Sequence, residues 1–194
     1  MTPSEWPVLR EAQDAIRVVV ARVPEGGWRA PTPCEQWDVT QVLQHAVADQ
    51  VAYVSKLTGG PGPSYDPFSP TGELEGAPVE LLEEVLRSSA DAFGAVDPDD
   101  PAVPVPLPPF QLPAEVAAGA AALDLAVHAW DIAVATGQPS PLTPSLARSL
   151  RPVADALVEP LRGFAFGAAT EPEAGAGDAD ALLNHLGRRA DWKA

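Results

Sequence analysis

Cysteine and lysine are scarce in this chain of 194 residues, and long apolar runs are absent. The single cysteine, Cys34, excludes an internal disulfide and any zinc site with two or more cysteine ligands from the chain. The only lysines are Lys56 and Lys193, and 12 Lys and Arg stand against 27 Asp and Glu, a formal net charge of −15. Binding to nucleic acid or to an anionic membrane needs clustered basic residues, so the composition argues against both.

The N-terminal segment lacks the apolar core of a signal peptide, because Glu5, Arg10, Glu11 and Asp14 interrupt it. No stretch approaches the ~18 consecutive apolar residues of a transmembrane helix. We therefore expect a soluble, cytoplasmic protein.

Proline, in contrast, is abundant, with 23 residues, and its distribution predicts the helices. A proline inside a helix costs ~3 kcal/mol, so long proline-free windows in such a chain are informative. Apolar residues recur at three- and four-residue spacing in each window, which is typical of an amphipathic helix. The windows before the C-terminal third are 8–23, 34–60, 79–97 and 114–138.

Capping residues mark the ends of the second and fourth of these helices. Asp38 is a favoured N-cap residue for the second helix, and Gly59 with Gly60 is typical of its C-terminus. The fourth helix is predicted to run from about residue 113 to residue 136, with Gly137 as its stop.

In the C-terminal third, the sequence pattern predicts a weaker fifth helix over 144–161, which has Pro152 inside it. A surface loop over 163–177 and a short helix over 178–186 are predicted to follow. No segment has the pattern of a strand. We predict one all-α domain, residues 1–194, built as a bundle of four principal helices.

Two proline-rich segments, 60–70 and 97–113, connect these helices. Both are long for plain helix connections, and loops of this length are commonly functional lids or disordered. Apolar side chains in the second segment predict that it packs onto the bundle: Val103, Val105, Leu107 and Phe110.

A narrow polar strip lies on the fourth helix. At about 100° per residue, Asp124, His128 and Asp131 fall within a strip about 60° wide. The remaining positions of this stretch are apolar, which is typical of a buried central helix. Buried carboxylates and imidazoles are costly unless they are paired or ligated, so the strip marks a candidate functional site.

His45 lies at the edge of the apolar arc of the second helix, with Asp49 beside it, and could reach this strip across a groove. With Asp124 and His128, spaced i,i+4, it would offer a metal ion two nitrogens and one oxygen. Such a set leaves coordination positions open, as in catalytic sites, and suits zinc, iron, nickel or cobalt. The alternative is a simple hydrogen bond between Asp124 and His128, with His45 left at the groove edge.

Several stretches of the sequence resemble the DinB-like superfamily, and in particular its maleylpyruvate isomerase-like, mycothiol-dependent metalloenzymes of actinobacteria. The first stretch resembles the second-helix signature of the family, the second resembles its fourth-helix signature, and the third resembles the C-terminal motif of its single-domain members. These stretches are 32–45 (Thr-Pro-Cys-Glu-Gln-Trp…His), 107–113 with 122–138 (…Leu-Asp-Leu-Ala-Val-His-Ala-Trp-Asp…), and 182–192. The resemblance implies a DinB-like, up-down four-helix bundle with long proline-rich loops and a short C-terminal helix.

The resemblance also implies one divalent metal ion on His45, Asp124 and His128. Zinc is expected first, with nickel, iron or cobalt as alternatives. Mycothiol or a similar low-molecular-weight thiol is expected as co-substrate, in S-transfer to a small electrophile or in its isomerisation. No side chain is assigned as a catalytic residue, because a metal-bound thiolate is expected to attack the electrophile.

Two features depart from the family pattern. Asp124 stands where many relatives have glutamate, so its helix must approach the ion more closely or ligate through one oxygen. Too few residues follow the fourth helix for the additional C-terminal domain of the maleylpyruvate isomerases, which argues against maleylpyruvate itself as the substrate.

Other polar and aromatic residues have two interpretations each. Asp131 is expected to fix the tautomer of His128 or to make a structural hydrogen bond. Trp37 and Trp130 are candidates to line the cavity, although a tryptophan on a bundle helix is more often part of the core. Cys34 is expected to be buried and inert and His185 to lie at the surface, while the proline-rich segments wall the pocket.

Two other functions remain open at this point. The bundle could be a non-catalytic protein that binds a metal or a small ligand, or a structural subunit in which the aspartate–histidine pair is only a hydrogen bond. The expected partners are a small-molecule thiol and an electrophile, without nucleic acid or membrane, and the expected state is a monomer or homodimer.

Overall fold

The computed structural model describes residues 5–74, 76–173 and 175–193, and this part of the chain is almost entirely helical. Short 3-10 turns at Glu25–Arg29 and Glu159–Leu161 join some of the helices. The α-helices are α1 (Pro7–Val20), α2 (Val39–Thr58), α3 (Pro78–Gly94), α4 (Ala114–Ala135), α5 (Pro144–Leu157) and α6 (Asp178–His185). The predicted all-α bundle is confirmed.

The predicted helix ends agree closely for α2. The carboxylate of Asp38 accepts a hydrogen bond from the backbone N–H of Gln41 at 2.9 Å, and the Gln41 side chain accepts one from the Asp38 N–H at 3.0 Å. This capping box satisfies two N–H groups that the first turn leaves unpaired. At the other end Gly59 adopts a left-handed conformation with φ of 72°.

The fifth helix is shorter than predicted, because α5 ends at Leu157 rather than at residue 161. Pro160 disfavours the α conformation of Glu159, the residue before it. The chain therefore tightens into the 3-10 turn Glu159–Leu161.

Helix α4 is the centre of the bundle and packs against α1, α2 and α5. Helix α2 also packs against α3, and α5 packs against α6. Nearly all side chains of α4 are buried, including the alanines opposite the polar strip. By length and composition α4 could cross a membrane, but 83% of its apolar window is buried inside the fold. Burial of this kind is typical of a core helix.

Gly119 lies where α4 and α5 approach each other most tightly. A Cβ added at Gly119 would lie 2.6 Å from Cγ2 of Val153, and both residues are inside helices. We expect Gly119→Ala to lower the free energy of unfolding by about 1–3 kcal/mol, measured by urea denaturation, although alanine is the better helix former. The double variant with Val153→Ala should be less destabilised than the sum of the single changes. An unchanged urea midpoint for Gly119→Ala would contradict this close packing.

The proline-rich segment 97–113 contains a pairing that was not predicted. Strand β1 (Val103–Pro104) pairs antiparallel with β2 (Gln111–Leu112). Two residues per strand are too few to produce an alternating pattern in the sequence. Val103 and Val105 are buried as expected, but Phe110 is 56% exposed, with φ of 68°, so its predicted inward packing is wrong. Phe110 lies in the turn between the strands, which directs its side chain outward.

Candidate metal centre

Two histidines and one carboxylate meet where α2 faces α4. His45 comes from α2, and Asp124 and His128 come from α4, one turn apart. Nε2 of His45 lies 3.4 Å and Nε2 of His128 lies 3.3 Å from Oδ1 of Asp124. These three atoms are within 4.8 Å of one another. The fold thus brings together the three side chains that were predicted from the sequence as metal ligands.

The other nitrogen of each histidine has a partner that only accepts hydrogen bonds. Nδ1 of His45 lies 2.8 Å from the carbonyl oxygen of Pro67, and Nδ1 of His128 lies 2.9 Å from Oδ2 of Asp131. Each Nδ1 therefore carries a proton and donates it, so the Nε2 atoms, which face Asp124, are the ones available to a metal ion. Histidines that ligate metals are commonly oriented in this way.

The centre attracts positive charge. Burial alone lowers the pKa of His128, but the carboxylates of Asp124 and Asp131 outweigh it and hold that pKa well above its ordinary value. Burial alone raises the pKa of Asp124, but His128 and His45 outweigh it and hold that pKa below its ordinary value. Oδ2 of Asp124 is buried and has no hydrogen-bond partner within the described part of the chain. A divalent cation would satisfy this oxygen and both Nε2 atoms, so the residues fit a metal ion.

Asp131 and Arg188 support His128 from behind. Asp131 is 0% exposed. Arg188, which follows α6, donates from Nη2 to Oδ2 of Asp131 at 3.0 Å and from Nε to Oδ1 at 3.4 Å. Burial raises the pKa of Asp131, but Arg188 and His128 outweigh it and lower that pKa to about 2. Asp131 therefore stays ionised and holds the Nδ1–H of His128.

Arg188 was not predicted as part of the site. It lies 57 residues after Asp131 in the chain. Its only signal was membership of the similar stretch 182–192, which says nothing about a contact with α4.

Cys34 is only half-buried and lines a cavity, so its predicted burial is wrong. Its thiol donates to Oδ2 of Asp131 at 3.3 Å, and Nη2 of Arg188 lies 3.4 Å from its sulfur. Cys34, His128 and Asp131 form a second close group of possible metal ligands. The guanidinium of Arg188 already supplies the positive charge there, so we assign no metal to this group.

The cavity beside the centre has a volume of about 660 Å³, and all three predicted ligands line it. Phe68 from the first proline-rich segment and Val105, Leu107 and Pro108 from the second also line it, so the prediction that these segments wall the pocket is confirmed. The carbonyl of Pro67 shows that the first segment also orients His45.

The two tryptophans occupy different environments. Trp37 lines the cavity, and its ring centroid lies 4.9 Å from that of His45. Trp130 is 2% exposed, packs in the core and is not among the described residues that line this cavity. Two residues along a helix turn a side chain about 200°, so Trp130 points away from the face of His128. His185, expected at the surface, has a side chain that is only 17% exposed, with Nε2 3.7 Å from Oδ1 of Asp155.

Two further polar side chains follow His45 along the cavity face of α2, one and two turns on. Asp49 and Tyr53 both line the cavity. Burial and the nearby Asp124 raise the pKa of Asp49 well above its ordinary value, although His128 acts to lower it. Burial, Asp49 and Asp124 raise the pKa of Tyr53. Asp49 had been placed beside His45 from the sequence but given no role.

Fold and site together define a class: a helical bundle whose central helices carry a candidate metal centre of two histidines and one aspartate, open to a cavity. Comparison with known families gives a match over residues 9–133 to the mycothiol maleylpyruvate isomerase N-terminal domain. The chain belongs to this family.

The chain is also similar to two curated proteins and to one solved structure. Uncharacterized proteins from two strains of Mycobacterium tuberculosis are each 30% identical over 151 residues, which is 78% of this chain and 78% of theirs. The crystal structure of a histidine-to-alanine variant of the mycothiol-dependent maleylpyruvate isomerase has a TM-score of 0.67. It is 14% identical, and the match covers 95% of this chain and 88% of that one. At this identity the likeness establishes the fold, the DinB-like bundle.

Proposed function

We propose that this protein is a divalent-metal-dependent enzyme that uses mycothiol, or a similar low-molecular-weight thiol, in S-transfer to a small electrophile or in its isomerisation. The observation that carries the proposal is the pair of histidines, each held at Nδ1, whose Nε2 atoms face the partly buried carboxylate of Asp124. The family supports the choice of thiol.

The metal would be held by His45, Asp124 and His128, with zinc as the first choice and nickel, iron or cobalt as alternatives. When bound, it would lower the pKa of the thiol and stabilise the thiolate at neutral pH. Three protein ligands leave a coordination position for the thiol, and the centre opens onto the cavity because all three line it.

The remaining side chains orient the centre and handle the proton. Asp131 and the carbonyl of Pro67 fix the tautomers of the two histidines. Trp37 and Phe68 pack around the ring of His45 and limit the access of water. Asp49, one turn from His45 in the cavity wall, is the carboxylate suited to accept the thiol proton and to return it.

We also propose that residues 1–194 act as one domain, as a cytoplasmic monomer or homodimer whose partners are the thiol and the electrophile. The net charge of −15 supports the absence of nucleic-acid and anionic-membrane partners. The burial of α4 supports a soluble protein.

Metal and thiol binding test this function together. We expect the purified protein to bind about one divalent ion per chain, as a three-ligand site implies. The visible spectrum of the Co(II)-substituted protein should change when a thiol is added but not when its S-methylated analogue is added, because only the free thiol can ligate as a thiolate. The loaded protein should then accelerate the reaction of the thiol with an electrophile.

The possible failures separate the alternatives. A native protein that binds no divalent metal would contradict both the enzyme and a metal-sequestering protein. If the protein binds the metal but its Co(II) spectrum does not change when the thiol is added, the result would support non-catalytic binding instead.

A further inference from the structure

The cavity wall is poor in groups that could bind an anion. Among its lining residues in the described chain, Arg188 is the only lysine or arginine. Its guanidinium is already bonded to Asp131 at 3.0 Å and lies 3.4 Å from the sulfur of Cys34. Glu35 and Asp49 add carboxyl groups to the wall. Away from the metal centre, a carboxylate in the cavity would therefore meet no unpaired cationic side chain of the wall.

An aromatic surface leads from the candidate metal centre to solvent. The ring of Phe68 contacts that of His45, with centroids 5.5 Å apart, and also that of Phe164, with centroids 5.0 Å apart. Phe164 is 63% exposed, the largest fraction among the exposed large hydrophobic residues of the described chain. An exposed aromatic ring at the wall of a cavity is typical of a surface that an apolar ligand covers.

Aliphatic side chains extend this surface. They come from the second proline-rich segment, the end of α5 and the turn that follows it. These residues are Leu107, Leu157 and Leu161. The part of the wall that they form together with the phenylalanines matches an apolar molecule better than a charged one.

We propose that the second substrate is an uncharged, electron-poor molecule with a flat apolar body, which packs against Phe68 and Phe164. This proposal adds a substrate class to the proposed function, and its thiol chemistry rests on that function. The binding preference, in contrast, follows from the residues of the cavity wall alone. It separates this chain from the family member named for maleylpyruvate, because maleylpyruvate is a dicarboxylate.

The chemical step balances without an oxidant or reductant. With a chloronitroarene, the thiolate sulfur forms a bond to the ring carbon, and chloride leaves with the electron pair of the carbon–chlorine bond. The thiol proton passes to a carboxylate or to water.

Binding of an unreactive matched pair tests the preference directly. The pair is 1,3-dinitrobenzene, which is neutral, and 3,5-dinitrobenzoate, which differs by one carboxylate. We expect calorimetry on the metal-loaded protein, with the thiol present to occupy the open coordination position, to give at least tenfold tighter binding of the neutral compound, about 1.4 kcal/mol. Equal or tighter binding of the benzoate would overturn the proposal.

Two variants that add the same charge show whether Phe164 contributes to the binding preference. Phe164→Lys places a cation at the cavity and should weaken binding of the neutral compound and strengthen binding of the benzoate. Phe110→Lys is the control, because Phe110 is exposed and does not line the cavity, and it should change neither affinity. Equal effects of the two variants would contradict the assignment of Phe164 to the binding surface.

Turnover separates a failure of this inference from a failure of the proposed function. The electrophiles are 1-chloro-2,4-dinitrobenzene and 4-chloro-3,5-dinitrobenzoate, each rate being divided by that of the uncatalysed thiol reaction. We expect at least a tenfold higher normalised kcat/KM for the neutral compound. Equal normalised rates would overturn the inference while the thiol chemistry stands. If neither reacts but the neutral dinitrobenzene still binds selectively, the thiol chemistry fails and the cavity preference stands.

Discussion

His128→Ala should reduce metal affinity by at least about 100-fold, because loss of an outer-sphere partner alone typically costs 10–100-fold and this change removes a ligand. Only His45 and Asp124 of the predicted ligands would remain. Competition with a chromogenic chelator measures the affinity, and metal analysis after dialysis measures the content. His185→Ala is the matched control, since His185 is the histidine that does not line the cavity, and it should keep the metal.

The same change also affects the fold. The imidazole of His128 lies between Asp124 and Asp131, so its loss leaves one partly buried and one fully buried carboxylate with one partner fewer. Circular dichroism of the metal-free variant shows whether the fold survives. If it does not, His45→Ala gives the same metal test without disturbing Asp131. Tight metal binding by either folded variant would rule out the predicted ligand set.

Arg188→Gln should lower the free energy of unfolding by about 3–5 kcal/mol, because it leaves a buried ionised carboxylate without its cation. It should also weaken metal binding by about 10–100-fold, since an Asp131 carboxylate that Arg188 no longer holds in place orients the Nδ1–H of His128 less firmly. Urea denaturation of the metal-free protein measures the first effect, and chelator competition on the loaded protein measures the second. A purely structural role of Arg188 would leave the metal affinity unchanged.

The pH dependence follows from the pKa of Asp131, which lies at about 2 in the folded protein against an ordinary value of 3.8. A depressed pKa means that the folded state favours the ionised form. The stabilisation is therefore present above about pH 4 and is lost as the pH falls towards 2. In Arg188→Gln the pKa of Asp131 should rise, so stability should be lost at a higher pH than in the wild type.

Two further variants show whether the loss of stability in Arg188→Gln comes from the ion pair with Asp131. Arg189→Gln removes an arginine whose side chain is 71% exposed and pairs with the exposed Asp191, and it should change stability by less than about 1 kcal/mol. The double variant Arg188→Gln with Asp131→Asn should be more stable than Arg188→Gln alone, because the unpaired charge is gone. Equal stability of the Arg188 and Arg189 variants would show that the ion pair with Asp131 contributes little.

The positions of the helices could be predicted from the sequence because their signals are local. Proline is strongly disfavoured in helix interiors, and Asp38 and Gly59 act on backbone groups within one turn. The pairing of Asp124 with His128 is also local, since i,i+4 spacing places two side chains on one face. Where local signals compete, as at the end of α5 beside Pro160, the prediction was too long.

Contacts between distant segments had no such signal. The carbonyl of Pro67 orients His45, but any residue has a carbonyl, so no residue type indicates the bond. Trp37 and Trp130 were both candidates for the cavity or the core, and only Trp130 packs in the core, because a tryptophan suits both places and only the packing of the helices decides. The outward position of Phe110 likewise depends on a short strand pairing that is too brief to leave a pattern.

The sequence by itself determined an all-α bundle, a buried central helix and the polar strip on that helix, because periodicity and capping act over three or four residues. The tertiary structure alone decided that His45 faces Asp124, that Arg188 neutralises Asp131, and that the phenylalanines form one surface. These depend on how helices pack and where loops return, which is determined by contacts across the whole chain.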